Sequence, residues 1–161
     1  MILSYRTRLT AFLLAGGFLV AGAVPALAAV SAHTHSGAAA TQPAPGQKWP
    51  ADPALREGMT RIRAAFAPRV NALHGDKLTQ RQYKQMAAEA EIQVAHIVAN
   101  CKLPPDADAA LHVLLGEIGE GTQAMQGNSS ISAHDGAIKI VAALDAYGRA
   151  FDHPGWKALD R

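Results

Sequence analysis

The chain has 161 residues, 15 Lys and Arg against 13 Asp and Glu, and one cysteine. Arg6 and Arg8 carry two of the basic charges, and the rest of the chain is formally neutral with 13 of each sign, which speaks against a phosphate-dominated nucleic-acid interface. One cysteine excludes an intramolecular disulfide, and the lack of Cys-x-x-Cys-His excludes a standard covalent c-type haem.

In chain order, the first element reads as a leader. Arg6 and Arg8 precede the apolar run LTAFLLAGGFLVAGAV, and Pro25 leads into Ala26-Leu27-Ala28, a small-residue cleavage site. The apolar core is only about 15 residues, short of the roughly 20 that span a bilayer. Residues 1–28 are therefore expected to be a secretory signal peptide that directs the chain to the periplasm. Cleavage after Ala28 leaves 133 residues with no later segment apolar enough to span, so no stable membrane insertion is expected.

Residues 29–51 begin AVSAHTHSGAAATQPAPGQKWP, small residues with Pro and Gly and no periodicity, the composition of a flexible tether. His33 and His35 form a loose metal hook. Cleavage after Ala32 would make His33 an N-terminal copper chelator, but Ala28 lies closer to the apolar core.

Residues 52–161 carry four segments with apolar spacings of three and four, the period of amphipathic helices. Helix 1 opens at Asp52-Pro53 and presents Leu55, Met59, Ile62, Phe66, Val70 and Leu73. Pro68 is expected to kink it and Gly75 to stop it. Helix 2 opens with the capping box TQRQ at Thr79 and runs through Tyr83, Ala87, Ala90, Val94 and Ile97 to Cys101. Helix 3 is expected to start at Asp106 after Pro104-Pro105 and to carry Leu111, Leu115, Ile118, Thr122 and Met125 as far as Gly127-Asn128. Helix 4 starts near Ser132 and carries Ile138, Val141, Leu144, Tyr147 or Gly148, and Phe151, with Pro154-Gly155 ending it. Nothing alternates with period two long enough for a sheet. Four helices of roughly 20 residues with connections of about five imply an all-α, antiparallel up-down-up-down four-helix bundle.

That topology gathers the start of helix 1, the end of helix 2, the start of helix 3 and the end of helix 4. The shared end collects Met59, Cys101, His112 and His153, with Trp49 and Trp156 flanking it, whereas the other end holds only His74 and His134. Met59 and His112 lie about 9 Å inside their helices, while Cys101 and His153 lie near the lip. One ion therefore suits Met59 with His112, or Cys101 with His153. A structural origin competes at each position. Met59 and Cys101 continue apolar stripes and are ordinary core residues there, and Cys101 is a buried small hydrophobe, a thiolate ligand or an intermolecular bridge. His112 shares a helix flank with Gly116 and Gly119, and with Gly121 close by these cost about 1 kcal/mol each in helix propensity, so close helix approach or a flat ligand should compensate. Continued as helix, His153 would fall about 180° from Leu144 and away from the core, with Pro154 pushing it out of helical geometry. No Ser/His/Asp set, paired carboxylates or phosphate loop is visible, and the protein is not expected to be an enzyme.

The stretches LREGMTRIRAA around Met59, LLGEIGEG at 114–121 and YGRAFDH ending at His153 resemble the soluble periplasmic b-type cytochromes, small exported four-helix bundles. The resemblance covers about 100 residues. It implies non-covalent haem b at the end just described, with Met59 and His153 as axial ligands. The stretch around Cys101 and the closing HPGW are similar to a further group of exported bacterial helical-bundle proteins, a resemblance that implies no activity.

Two functions follow as expectations. One is a redox or metal-carrier bundle, with haem b on Met59 and His153 or copper on a site that includes Cys101 and His112, serving a periplasmic redox or metal-delivery partner. The other is a metal-free interaction or structural module of the cell envelope in which Met59 and Cys101 are core. Neither implies an oligomeric state.

Overall fold

The computed structural model describes residues 43–159; the expected signal peptide, most of the expected tether with His33 and His35, and residues 160–161 lie outside them. Of the described residues 71% are helical, so the protein is all-α. The elements are β1 (Trp49–Pro50), α1 (Pro53–Phe66), a 3-10 turn (Ala67–Arg69), α2 (Val70–His74), α3 (Gln80–Asn100), α4 (Pro105–Gln126), α5 (Ala133–Ala150) and β2 (Phe151–Asp152). No helix among the described residues is long and apolar enough to cross a membrane.

Local chemistry sets most of the boundaries. The Asp52 carboxylate accepts from the Leu55 amide at 2.7 Å and Pro53 occupies the first turn, so α1 starts where its free N–H groups find an acceptor. Pro68 lacks the amide needed to continue α1, and the chain tightens into the 3-10 turn before resuming as α2. Thr79 and Gln82 form the reciprocal capping box of α3. Ser132 caps α5 through the Asp135 amide at 3.0 Å. Gly127 closes α4 in the left-handed region at φ +88°.

Three boundaries differ from the sequence expectation. Asp106 does not cap α4: Pro104 holds that position with no side-chain bond, and Asp106 and Asp108 sit in the first turn, where their charge favours the helix dipole. Phe151 is not in the last helix, which ends at Ala150; Phe151 is extended and fully buried. Trp49–Pro50, expected at the end of the tether, pairs in parallel with Phe151–Asp152. Two-residue strands leave no alternation in the sequence to detect. This pairing joins the chain entering α1 to the chain leaving α5, and the Arg63 guanidinium adds a bond to the Lys157 carbonyl.

α1 packs on α3, α3 on α4 and α4 on α5, while α1 and α5 approach less closely. One core runs through all of them, including Leu55, Met59, Ile62, Phe66, Met86, Ile97, Leu111, Ile118, Met125, Ile140, Leu144 and Tyr147. Backbone approaches closely between α4 and α5. A Cβ at Gly121 would stand 2.6 Å from the Gly136 carbonyl, and one at Gly136 would stand 2.6 Å from the Ala124 Cβ. Gly116 and Gly119 meet open space, so close approach accounts for only one of the three α4 glycines.

Candidate functional site

Asp52, Cys101, Tyr147, His153 and Trp156 come together where α1 begins and α3 and α5 end. Asp52 is the hub. While Oδ1 caps α1, Oδ2 accepts from the Lys102 amide at 2.6 Å, which ties the exit of α3 to the entry of α1. The Cys101 thiol lies beside the same carboxylate. Burial alone would raise the Asp52 carboxyl, but the two amides, the thiol and Arg56 outweigh it and hold it below the usual carboxylate range. In turn, burial and the adjacent Asp52 charge push the Cys101 thiol up to about 12, so at neutral pH it is a thiol and not a thiolate.

His153 reaches this end by a route the helical extrapolation misses. Because α5 stops at Ala150, Phe151 and Asp152 run extended, and a Pro154-Gly155 turn with Gly155 at φ +79° closes through the bond from the Trp156 amide to the His153 carbonyl. The imidazole is brought back over α1 and α5. Its Nδ1 lies 2.9 Å from the Tyr147 hydroxyl and its Nε2 lies 3.4 Å from the Thr60 hydroxyl. Burial and the nearby Arg56 charge lower its pKa, so it is a neutral ring at neutral pH. Tyr147 stacks on Phe151 at 5.2 Å and meets Trp156 edge-on at 4.8 Å. The Trp156 indole lies directly over Gly148, and no side chain fits between them. Burial lifts the Tyr147 hydroxyl far above its ordinary value, which keeps it protonated.

Met59, His112 and the histidines of the other end are placed as follows. Met59 is fully buried in the core. His112 is exposed on α4, with Nδ1 2.9 Å from the Asp108 carbonyl and 3.4 Å from its carboxylate, so it leans along its own helix. His74 is exposed, and His134 stands 3.5 Å from both Asp76 and the Tyr83 hydroxyl at the other end. Among the described residues no group of three or more His, Cys, Asp or Glu is placed to hold a metal ion.

The groove beside His153 is lined by Arg56, Glu57, Thr60, Arg61 and Pro154, without Met59. Met59 lies in the core, while the His153 imidazole faces the Tyr147 and Thr60 hydroxyls and meets the Tyr147 ring edge-on and the Trp156 ring at a tilt. The residues that organise this end, Asp52, Arg56, Thr60 and Tyr147, were not singled out from sequence as site residues. Tyr147 in YGRAFDH carried the only usable signal, since a buried tyrosine hydroxyl requires a polar partner.

No protein-family model, curated protein or solved structure matches the chain.

Proposed function

We propose that the protein is an exported periplasmic module, an antiparallel up-down-up-down bundle released from its signal peptide, that acts as a metal-free interaction or structural component of the cell envelope. The observation that carries this reading is the outer face of α3. Ile92 is 64% and Val98 65% exposed, and Ala88, Ala95 and Ala99 are exposed on the same helix. Ala88, Ile92, Ala95 and Ala99 follow the four-three-four spacing of a single stripe, and from Ile92 to Cys101 there is no Asp, Glu, Lys or Arg. A continuous apolar stripe left in solvent marks a contact surface. The engagement of Met59, Cys101 and His153 in packing and hydrogen bonds supports the same reading. A photo-crosslinking residue at position 92 is expected to give a discrete adduct in cells, and one at the exposed polar position Lys84 is expected to give none. Absence of any adduct at position 92 would overturn the reading.

The second reading is a redox or metal carrier using haem b or copper and a periplasmic delivery partner. One observation favours it: His153 is held as a neutral imidazole, the form that ligates metals. It requires the Tyr147 contact to open. An absorption spectrum and metal analysis of protein isolated from periplasm separate the two. The interaction module is expected to show no Soret band and less than stoichiometric metal.

A further inference from the structure

An open groove of about 590 Å³ lies between the first turns of α1 and the turn after α5, lined by Arg56, Glu57, Thr60, Arg61, His153 and Pro154. Its charge is unbalanced. The Glu57 carboxylate is taken up by Arg61 at 2.7 Å, four residues on. Arg56 forms no ion pair among the described residues; one arm of its guanidinium donates to the Ala51 carbonyl at 2.7 Å, which fixes the group and leaves its other N–H donors. Asp52, whose carboxyl the Arg56 charge helps to lower, also accepts from the Leu55 and Lys102 amides.

The hydrogen-bonding sense of the groove matches its charge. Tyr147 is buried and its hydroxyl is partnered by His153 Nδ1. The Tyr147–His153 contact fits either neutral tautomer; in the one where Tyr147 donates to Nδ1 the proton sits on Nε2, which faces Thr60 at 3.4 Å, a long contact that either group can exchange for a better one. The groove then offers guanidinium N–H groups, an imidazole N–H and a hydroxyl, and its one carboxylate is already committed. Planar, fixed guanidinium donors are the usual partners of carboxylate and phosphate oxygens.

We propose that this groove binds a small anion of the carboxylate or phosphate class, with Arg56 supplying the charge and Thr60 and His153 Nε2 supplying neutral donors. The site is independent of the α3 face and stands or falls separately from the interaction reading. The groups facing His153 are Arg56 from α1, Asp152 from β2 and the Tyr147 hydroxyl from α5, with Glu57 and Arg61 farther along the groove. A bound anion favours the imidazolium, so occupancy raises the His153 pKa.

The test is an NMR titration of the purified protein with inorganic phosphate and, separately, with citrate, at constant ionic strength. Saturable shifts of the Thr60 amide and His153 ring signals are expected with at least one anion, with a rise in the His153 pKa. Saturation by phosphate alone assigns the phosphate class, and saturation by citrate alone the carboxylate class. Arg56→Met is expected to weaken binding at least tenfold. Thr60→Val, an exposed substitution that leaves the fold intact, is expected to weaken it severalfold. Linear, unsaturated shifts with both anions, or affinity unchanged in Thr60→Val and Arg56→Met alike, would overturn the proposal.

Discussion

The Tyr147 hydroxyl lies 2.9 Å from His153 Nδ1, a polar contact that, with the Trp156 ring packed on Tyr147 and Gly148, joins the core of α5 to the turn that follows it. Tyr147 is fully buried and His153 half-buried, so the bond is screened from water at one end. Tyr147→Phe keeps the ring stacking on Phe151 and Trp156 but removes the hydroxyl. It should cost about 1 kcal/mol, the ordinary net value of such a bond, and more if Nδ1 stays unpaired. Urea unfolding at pH 7.5 measures the loss, and an unchanged midpoint would show that the contact does not hold the turn.

The same histidine gives an acid dependence with a definite sign. Burial and Arg56 place its folded pKa below the 6.5 of a free imidazole, so the folded state takes up the proton less readily than the unfolded chain. Its contribution to stability is complete above about pH 6.5 and is lost as pH falls through the lower folded value. Thermal midpoints between pH 7.5 and 5 should fall in the wild type and fall less in His153→Gln. Asp52 adds a loss only at still lower pH, because its folded value lies below the usual 3.8.

At the alkaline side the relevant group is Cys101. Burial and the Asp52 charge raise its thiol from 9.0 to about 12, so the folded state resists ionisation. The stabilising contribution is complete below about pH 9 and is lost as pH rises toward 12. Alkylation by iodoacetamide at pH 8 should be slower for the native protein than for the unfolded chain by more than tenfold. Asp52→Asn removes a charge that opposes the thiolate and should speed the native reaction. A native rate equal to the unfolded one would contradict the arrangement.

The α4 glycines predict opposite outcomes within six residues. Gly121→Ala forces a methyl against the Gly136 carbonyl and the Ile140 side chain, and overpacking of this kind costs about 1–3 kcal/mol. Gly116→Ala and Gly119→Ala meet open space inside a regular helix and should stabilise by about 0.5–1 kcal/mol each. Urea midpoints of the three single variants decide it. Equal effects at all three positions would mean that the α4–α5 seam is looser than it stands here.

The helical part of this architecture was legible because its signals are local. Asp52-Pro53, Thr79-Gln82, Ser132-Asp135 and Gly127 each terminate a helix through atoms within a few residues, and the three-four spacing marks the buried faces. What stayed hidden depends on contacts between distant positions. The Trp49–Phe151 pairing spans about a hundred residues and is too short to leave a period. The placement of His153 turns on where α5 stops, and a three-residue shift at Ala150 reverses the direction inferred from 100° per residue. Asp52 was visible as a cap, whereas its second bond, to the Lys102 amide, needs α3 to end beside α1. His112 shows the opposite case: its flanking position on α4 leaves it exposed and beside its own Asp108, an exposure that spacing along the helix does not reveal.

Met59 separates packing from ligation most cleanly. It is fully buried in the core and lines no part of the groove at His153. Met59→Ala deletes most of a buried side chain and should cost about 2–5 kcal/mol, while Met59→Leu keeps volume and apolar character and should cost less than about 1.5 kcal/mol. A thioether ligand would behave differently, since leucine offers no sulfur and would lose any metal or haem spectrum while the fold survived. Urea unfolding of both variants, with absorption spectra before and after haem addition, distinguishes the two. Near-wild-type stability and an unaltered spectrum in Met59→Leu are expected. A Soret band in the wild type that disappears in Met59→Leu would show that the core opens to admit the group.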